Sequence, residues 1–206
     1  MSVFLVFHTY LLYPLLLKLL SSNKKQNQIV YQLKDADLPE VDILLAVYNE
    51  EKVIEEKISS TFHTSYPVNK IKFYIGTDAS TDKTDEIIKK YQRQYSQLQL
   101  TRFSGRRGKA AIINELSICS KSPVMILTDA NVFFELHTIY HLVKHYKNHE
   151  IAQVGGNILH KTINRNPKSE KGISFQEKAY QIRENKIKYH EGIVWGSMIG
   201  AFGGCY

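Results

Sequence analysis

With 206 residues, 43% of them hydrophobic and only 5 prolines and 11 glycines, the chain has enough apolar surface for one globular core plus a short appendage. Collagen-like, low-complexity and disulfide-stapled architectures are excluded: no repeat occurs, and the 2 cysteines, Cys119 and Cys205, lie far apart without metal-type spacing and read as reduced, mostly buried thiols. The formal charge of +7 comes without a zinc finger, helix-turn-helix or aromatic RNA-binding signature, so the expected partner is a membrane surface or an anionic small substrate and not nucleic acid.

The chain opens with "SVFLVFHTYLLYPLLL", Ser2 to Leu17, which carries no formal charge, and Leu19 and Leu20 extend it past Lys18. At about 1.5 Å per residue this is just long enough for a tilted or slightly thinned bilayer. His8 and Pro14 count against such a span, Lys18 near its end can snorkel to the headgroups, and the alternative is an apolar helix packed on the domain. A secretory signal fits less well, because there is no basic leading segment and no small-x-small cleavage site. Residues 1–22 are therefore expected to anchor the chain in a membrane. Lys18, Lys24 and Lys25 end and follow that span, so the positive-inside rule puts the rest of the chain in the cytoplasm.

Residues 23–40 read as a polar linker, and from residue 41 the pattern becomes regular. "VDILLAVY" (41–48) is a buried-strand run, and "NEEKVIEEKISSTF" (49–62) reads as a helix, with Asn49 as its cap and Val53, Ile54, Lys57 and Ile58 at helical spacing. Strands are then expected at 71–78, 98–103 and 123–128. Helices are expected at 80–95, opened by Ser, Thr and Asp capping candidates, at 108–120 and at 135–149. Four strand–helix alternations predict an α/β domain with a largely parallel sheet. Such sheets bind ligands at the carboxyl ends of their strands. Those ends read "YNE", "TDASTD", "GRRGK" and "DAN". One Asp-Ala-Asn alone is ordinary turn chemistry, whereas four polar clusters on one rim describe a binding site.

Asp129 and Asn131 are two residues apart, so both side chains point the same way if strand alternation persists. A carboxylate with an amide oxygen is a hard-oxygen pair of the kind that suits Mg²⁺ or Mn²⁺. Asp78 can accept from a ribose hydroxyl or a base N–H, or can cap the helix beginning near Ser80. Lys109 can supplement a helix N-terminus in holding phosphate, or remain solvated. "GRRGK" is too short for a G-x-x-x-x-G-K-[ST] phosphate loop, and Ala110 follows the lysine. His137, His141, His145 and His149 recur every four residues, which drifts about 40° per step, so they cannot share one face. They read as the flank of an apolar stripe made by Leu136, Ile139, Tyr140, Val143 and Tyr146.

These segments, in this order, resemble glycosyltransferase family 2, the inverting transferases of the GT-A fold, from about Val41 to the end of the chain. "AVYNEEKVI" resembles the first-strand motif that contacts the nucleotide base, which implies such a role for Tyr48, Asn49 and Glu50. "TDASTDKT" resembles the D-G-S-T-D turn and places Asp78 at the uridine or ribose. "GKAAIINE" resembles the segment beside the diphosphate, with Lys109 and Asn114. "TDAN" resembles the Asp-x-Asp metal motif in an Asp-x-Asn form, which implies that Asp129 and Asn131 hold divalent Mn or Mg against a nucleotide-sugar diphosphate. The resemblance implies a GT-A domain over residues 41–206, Rossmann-like, with a mostly parallel sheet and flanking helices, preceded by the hydrophobic helix. It implies transfer from a nucleotide sugar, expected to be a UDP-sugar, to a glycan or lipid-linked hydroxyl. "GSMIGAFGG" resembles the family's Gly-rich strand near the donor sugar, and the segment before it the acceptor-side helix.

The chain departs from the family pattern at Ala46–Val47, where a proline is frequent, at Ala79 for the glycine of the D-G-S turn, and at Phe202 for an Asp of the Gly-rich strand. The family's general base and its Gln-x-x-Arg-Trp motif follow the Gly-rich strand, beyond Tyr206, so no catalytic base is assigned and the expectation is the donor-binding part of such an enzyme. Two alternatives are a non-catalytic nucleotide-sugar-binding module and a nucleotidyltransferase, although the latter's Gly-rich loop is missing after the first strand.

Overall fold

In the computed structural model, which describes residues 2–159, 173–196 and 204–205, four parallel strands form one sheet in the order β3-β2-β1-β4. The strands are β1 (Val41–Val47), β2 (Ile71–Asp78), β3 (Leu98–Phe103) and β4 (Val124–Thr128). In chain order the helices are α1 (Ser2–Phe7), α2 (Tyr13–Ser22), α3 (Ile54–Phe62), α4 (Thr84–Gln92), α5 (Lys109–Cys119), α6 (Thr138–Val143) and α7 (Ile173–Trp195). The chain divides into two compact units, Met1–Gln28 with Asn157–Ala201, and Ile29–Gly156 with Phe202–Tyr206.

The sheet forms the second unit. β1 sits between β2 and β4, one core packs on each of its faces, and every residue except Ala46 is buried. That explains an unbroken apolar run where a half-exposed strand would alternate. Ile43, Leu45, Val47, Phe73, Ile75 and Ile126 join Ile54, Ile58, Ile88 and Ile139 in the larger core. Leu44, Tyr74 and Phe103 meet Ile112 and Leu116 of α5 in the smaller one. Each such side chain contributes about 1.5–3 kcal/mol on burial, so the two cores, and not helix propensity, hold these short helices. α5 packs so closely that a Cβ on Gly76 would lie 2.4 Å from Ile112 Cγ2.

Asp42 interrupts the apolar run of β1 and is fully buried. Its carboxylate accepts from Ser120 Oγ (2.8 Å), the Lys121 and Ser122 amides (2.9 and 3.1 Å) and Ser122 Oγ (2.6 Å). Burial pushes its pKa up, but these hydrogen bonds outweigh burial and hold it below the ordinary value. The carboxylate thereby fixes the connection from α5 to β4.

β2 and β3 have the bounds read from the sequence, and α5 differs by one residue at each end. α3 begins at Ile54 and not at Asn49, and α4 at Thr84 and not at Ser80. The intervening residues make loop-to-loop hydrogen bonds instead. Asn49 is no cap: it has φ 54°. The long fourth helix is also corrected, because α6 ends at Val143 and continues as a 3₁₀ turn, Lys144–Lys147. Leu142 is buried where Leu136, expected in the stripe, is exposed. Cys119 is exposed and Cys205 buried.

In the other unit α1 and α2 are joined by a π-helical turn, His8–Leu12, just before Pro14. Proline lacks an N–H and crowds the carbonyl four residues back, and a wider turn relieves both. The window Leu5–Ser22 has a mean hydropathy of 1.3, yet only 11% of it is buried. α7 packs along α2: Tyr13 donates to Glu191 Oε1 (2.6 Å), Ser21 Oγ meets His190 Nδ1 (2.7 Å), and Lys24 Nζ donates to the Val194 carbonyl (2.6 Å).

Candidate functional site

The loops after β1 and β2 are fastened to each other. The Asn49 amide donates to Ser80 Oγ (3.1 Å), and Asn49 Oδ1 accepts from the Thr81 amide (2.8 Å). The Glu50 amide donates to Thr84 Oγ1 (2.8 Å) and the Glu51 amide to Asp82 (3.1 Å). Asp82 also accepts from the Thr84 amide (3.0 Å), turning the chain into α4. Ala79 has φ 56° and occupies the left-handed region that a glycine would reach without a Cβ penalty.

Asp78 ends β2 and is buried. Its carboxylate accepts from the Arg107 amide (2.6 Å), the Gly108 amide (3.0 Å) and Arg106 Nε (3.1 Å). It therefore caps no helix near Ser80 and instead holds the loop after β3. The Arg107 amide is the chief reason its pKa lies below the ordinary value; burial opposes this, and Gly108 and Arg106 add to it. The Arg106 guanidinium also lies over Tyr48, 3.4 Å from the ring centroid. One arginine thus links the ends of β1 and β2. A cleft of about 540 Å³ opens at this loop, lined by Phe103, Arg106, Arg107 and Glu115 among others.

Gly108, with φ 81°, precedes α5, and Lys109 is the first residue of that helix. The Lys109 ammonium pairs with the Asp129 carboxylate. Asn114 lies farther along α5, exposed to solvent. Asp129 follows β4; its amide donates to the Gly204 carbonyl (3.2 Å), and its carbonyl accepts from the Val132 amide (3.2 Å). Strand geometry ends at Thr128, so a turn, and not strand alternation, carries Asn131, which is exposed. Most of the Gly-rich segment with Phe202 (197–203) lies outside the described residues.

The rim gathers carboxylates. Burial first, and then the Asp82 and Asp129 charges, push the Glu50 pKa up. Crowded carboxylates favour a cation, and here the Lys109 ammonium supplies one at Asp129. Among the described residues no three His, Cys, Asp or Glu side chains converge into a cage. Asp129 and Asn131 are oxygen donors of the type a hard divalent ion takes, and the Asp129 carboxylate is here paired with Lys109.

Two residues of this region stood out less in the sequence. Arg106 had no signal beyond being basic at a strand end. Lys57 did have one, a lysine at helical spacing with Val53, Ile54 and Ile58, and it is fully buried beneath β4.

The sequence profile described as glycosyl transferase family 2 matches residues 42–202. Over 119 residues the chain is 28% identical to a beta-monoglucosyldiacylglycerol synthase of Nostoc sp., an alignment covering 57% of this chain and 25% of that one. It is 30% identical over 119 residues to a poly-beta-1,6-N-acetyl-D-glucosamine synthase of Staphylococcus epidermidis, covering 57% of this chain and 28% of that one. The matched part thus spans about a quarter of these relatives' length. A mannosyltransferase from Pyrobaculum calidifontis, solved in complex with GDP-Man and Mn²⁺, shares the fold with a TM-score of 0.57 at 24% identity over 66% of this chain and 41% of its own. The parallel sheet, the polar strand ends and the profile match over nearly the whole sheet-bearing unit agree: this chain has a GT-A fold and belongs to glycosyltransferase family 2.

Proposed function

We propose that this chain binds the nucleotide-sugar donor of an inverting, membrane-anchored glycosyltransferase that passes a hexose to a glycan or lipid-linked hydroxyl. The observation that carries this reading is the convergence of Tyr48, Asp78, Lys109 and Asp129 on the carboxyl rim of four parallel strands. Tyr48 offers the base the ring face that Arg106 leaves open, with Asn49 and Glu50 beside it, and Asp78 would accept from a base N–H or ribose hydroxyl in exchange for one of the bonds that now hold it. Lys109 and Asn114, on α5, serve the diphosphate, and Asp129 and Asn131 hold Mg²⁺ or Mn²⁺. When bound, the ion neutralises charge on the departing diphosphate.

The Lys109–Asp129 pair makes donor binding an exchange of partners. Lys109, now held by a carboxylate, would bind a phosphate oxygen, and Asp129 would hold the divalent ion, so neither residue would be left with an uncompensated charge. A nucleoside diphosphate arriving with its metal satisfies both at once. Residues 1–22 anchor the chain, a reading supported by an apolar helix whose surface is mostly uncovered, and the lysines at its end favour a cytoplasmic catalytic domain.

The test is a calorimetric titration of the purified chain with UDP, GDP and UMP, each with Mn²⁺ and with chelator. Binding of a nucleoside diphosphate that strengthens with metal, UDP before GDP, supports the proposal. Absence of nucleotide binding by a folded chain contradicts it.

A further inference from the structure

Lys57 lies on α3, fully buried, and among the described residues its ammonium pairs with no carboxylate. Nζ donates to Thr128 Oγ1 (2.9 Å) and to the Val132 carbonyl (2.5 Å), and it stands 3.8 Å from the centroid of the Phe134 ring. A hydroxyl, a carbonyl and an aromatic face thus surround one ammonium.

The two acceptors have a particular place in the chain. Thr128 is the last residue of β4 and Val132 closes the turn, so they bracket Asp129, Ala130 and Asn131. One end of the turn is thereby tied to the other through a side chain from a different element. The backbone bond from the Val132 amide to the Asp129 carbonyl spans the same residues, and the Asp129 amide is held by Gly204.

Stability alone does not account for a lysine here. Taking an ammonium out of water is costly, neutral acceptors compensate it only in part, and a methionine or leucine would fill the same space without that cost. Burial pushes the Lys57 pKa down to about 7, against smaller opposing effects of Cys205 and then of the Asp129 charge. A buried cation kept directly below a polar turn has a use in what the turn holds.

We propose that Lys57 is a positioning residue: by bridging Thr128 and Val132 it fixes the turn that presents Asp129 and Asn131 to a divalent ion. The inference rests on reading that turn as the metal-binding element. Lys57 itself touches neither ion nor nucleotide.

The test compares the full chain with Lys57→Met, which keeps most of the volume, and Thr128→Val, which removes one acceptor. Three quantities are measured: UDP affinity with Mn²⁺, UDP affinity with chelator, and amide hydrogen exchange at residues 129–132 without metal. In Lys57→Met the affinity gained from Mn²⁺ is expected to fall about tenfold, the size of one lost charge-assisted contact. Chelator-state affinity stays within about twofold while exchange in the turn speeds up. Thr128→Val shows a smaller loss of the same kind, and it carries the test alone should Lys57→Met fail to fold. A packing role alone would move both affinities together. A purely electrostatic role would tighten Mn²⁺ binding, since a nearby positive charge is gone; either result overturns the proposal. A wild-type chain that binds UDP with no gain from Mn²⁺ overturns the metal reading and this inference with it, whereas a wild-type gain that survives in folded variants overturns only this inference.

Discussion

The Lys109 ammonium, on the first residue of α5, is paired with the Asp129 carboxylate just after β4, so the two strand ends that flank the proposed diphosphate site are joined by one ion pair. Breaking that pair has opposite consequences for two ligands. Lys109→Met frees Asp129 for a cation and should raise Mn²⁺ affinity measured without nucleotide by electron paramagnetic resonance. The same change removes a phosphate contact and should weaken UDP binding about tenfold, as expected for a lost hydrogen bond to a charged group. Parallel loss of both affinities would mean that the pair only braces the loop.

Gly76 sets how closely α5 approaches β2. A Cβ there would lie 2.4 Å from Ile112 Cγ2 and 3.3 Å from Leu116 Cδ1, both in the smaller core. Gly76→Ala should destabilise the chain by about 1–3 kcal/mol in urea unfolding, the usual cost of overpacking, and Ile112→Ala, which removes the clashing Cγ2, should cost less in the Gly76→Ala background than alone. No loss in Gly76→Ala would show that α5 shifts freely.

Ala79 makes the converse case. With φ 56° it holds a conformation costing an alanine about 1–2 kcal/mol that glycine avoids, partly offset by glycine's greater freedom when unfolded. Ala79→Gly should therefore stabilise the chain by about 0.5–1 kcal/mol, a gain visible as a raised urea midpoint. A lowered midpoint would place the strain elsewhere.

Acid should weaken this fold in a defined window. Asp42, Asp78 and Asp82 are all held below the ordinary carboxylate value. Groups with depressed folded pKa values stabilise the chain above their unfolded value, about 4, and lose that contribution as pH falls through the folded values. The carboxylate contribution should be complete above about pH 5 and be lost steeply below pH 4, apart from a separate rise in midpoint above about pH 7 that the lowered Lys57 value produces. Asp42→Asn, destabilised at pH 7, should show a shallower fall; an identical slope would remove Asp42 from the account.

The anchor is tested without disturbing α7. Fusing residues 1–25 to a soluble reporter should carry it to the membrane fraction, and replacing Leu11 and Leu15, both exposed on the helix, with lysine should release it. A reporter that stays soluble would make this helix a packing element.

Much of this architecture could be read from residue order. β2 and β3 were legible to the residue because each is a short β-prone run bounded by turn residues. The starts of α3 and α4 were not. Asn49 and the Ser80–Asp82 segment look like helix caps in isolation, and only their partnership across 30 or so residues makes them loop fasteners. α6 looked long because its apolar residues continue at helical spacing, but the chain tightens at Lys144. The strand ends that carry Asp78, Lys109 and Asp129 could be placed from the alternation of elements. Their pairings could not: a carboxylate that caps a helix and one that holds a distant loop have the same local sequence. Lys57 shows the limit most sharply, since a lysine on an apolar stripe usually reaches solvent along its stem.

The central claim, that this rim binds a nucleotide diphosphate through a metal at Asp129, is tested most directly by one difference: UDP affinity with Mn²⁺ against UDP affinity with chelator, in the wild-type chain and in Asp129→Ala. The account predicts at least about a tenfold gain from metal in the wild type, equivalent to about 1.4 kcal/mol, most of it lost in Asp129→Ala and retained in His141→Ala. Equal UDP affinity with and without metal in the wild type, or a full gain surviving in Asp129→Ala, would contradict it.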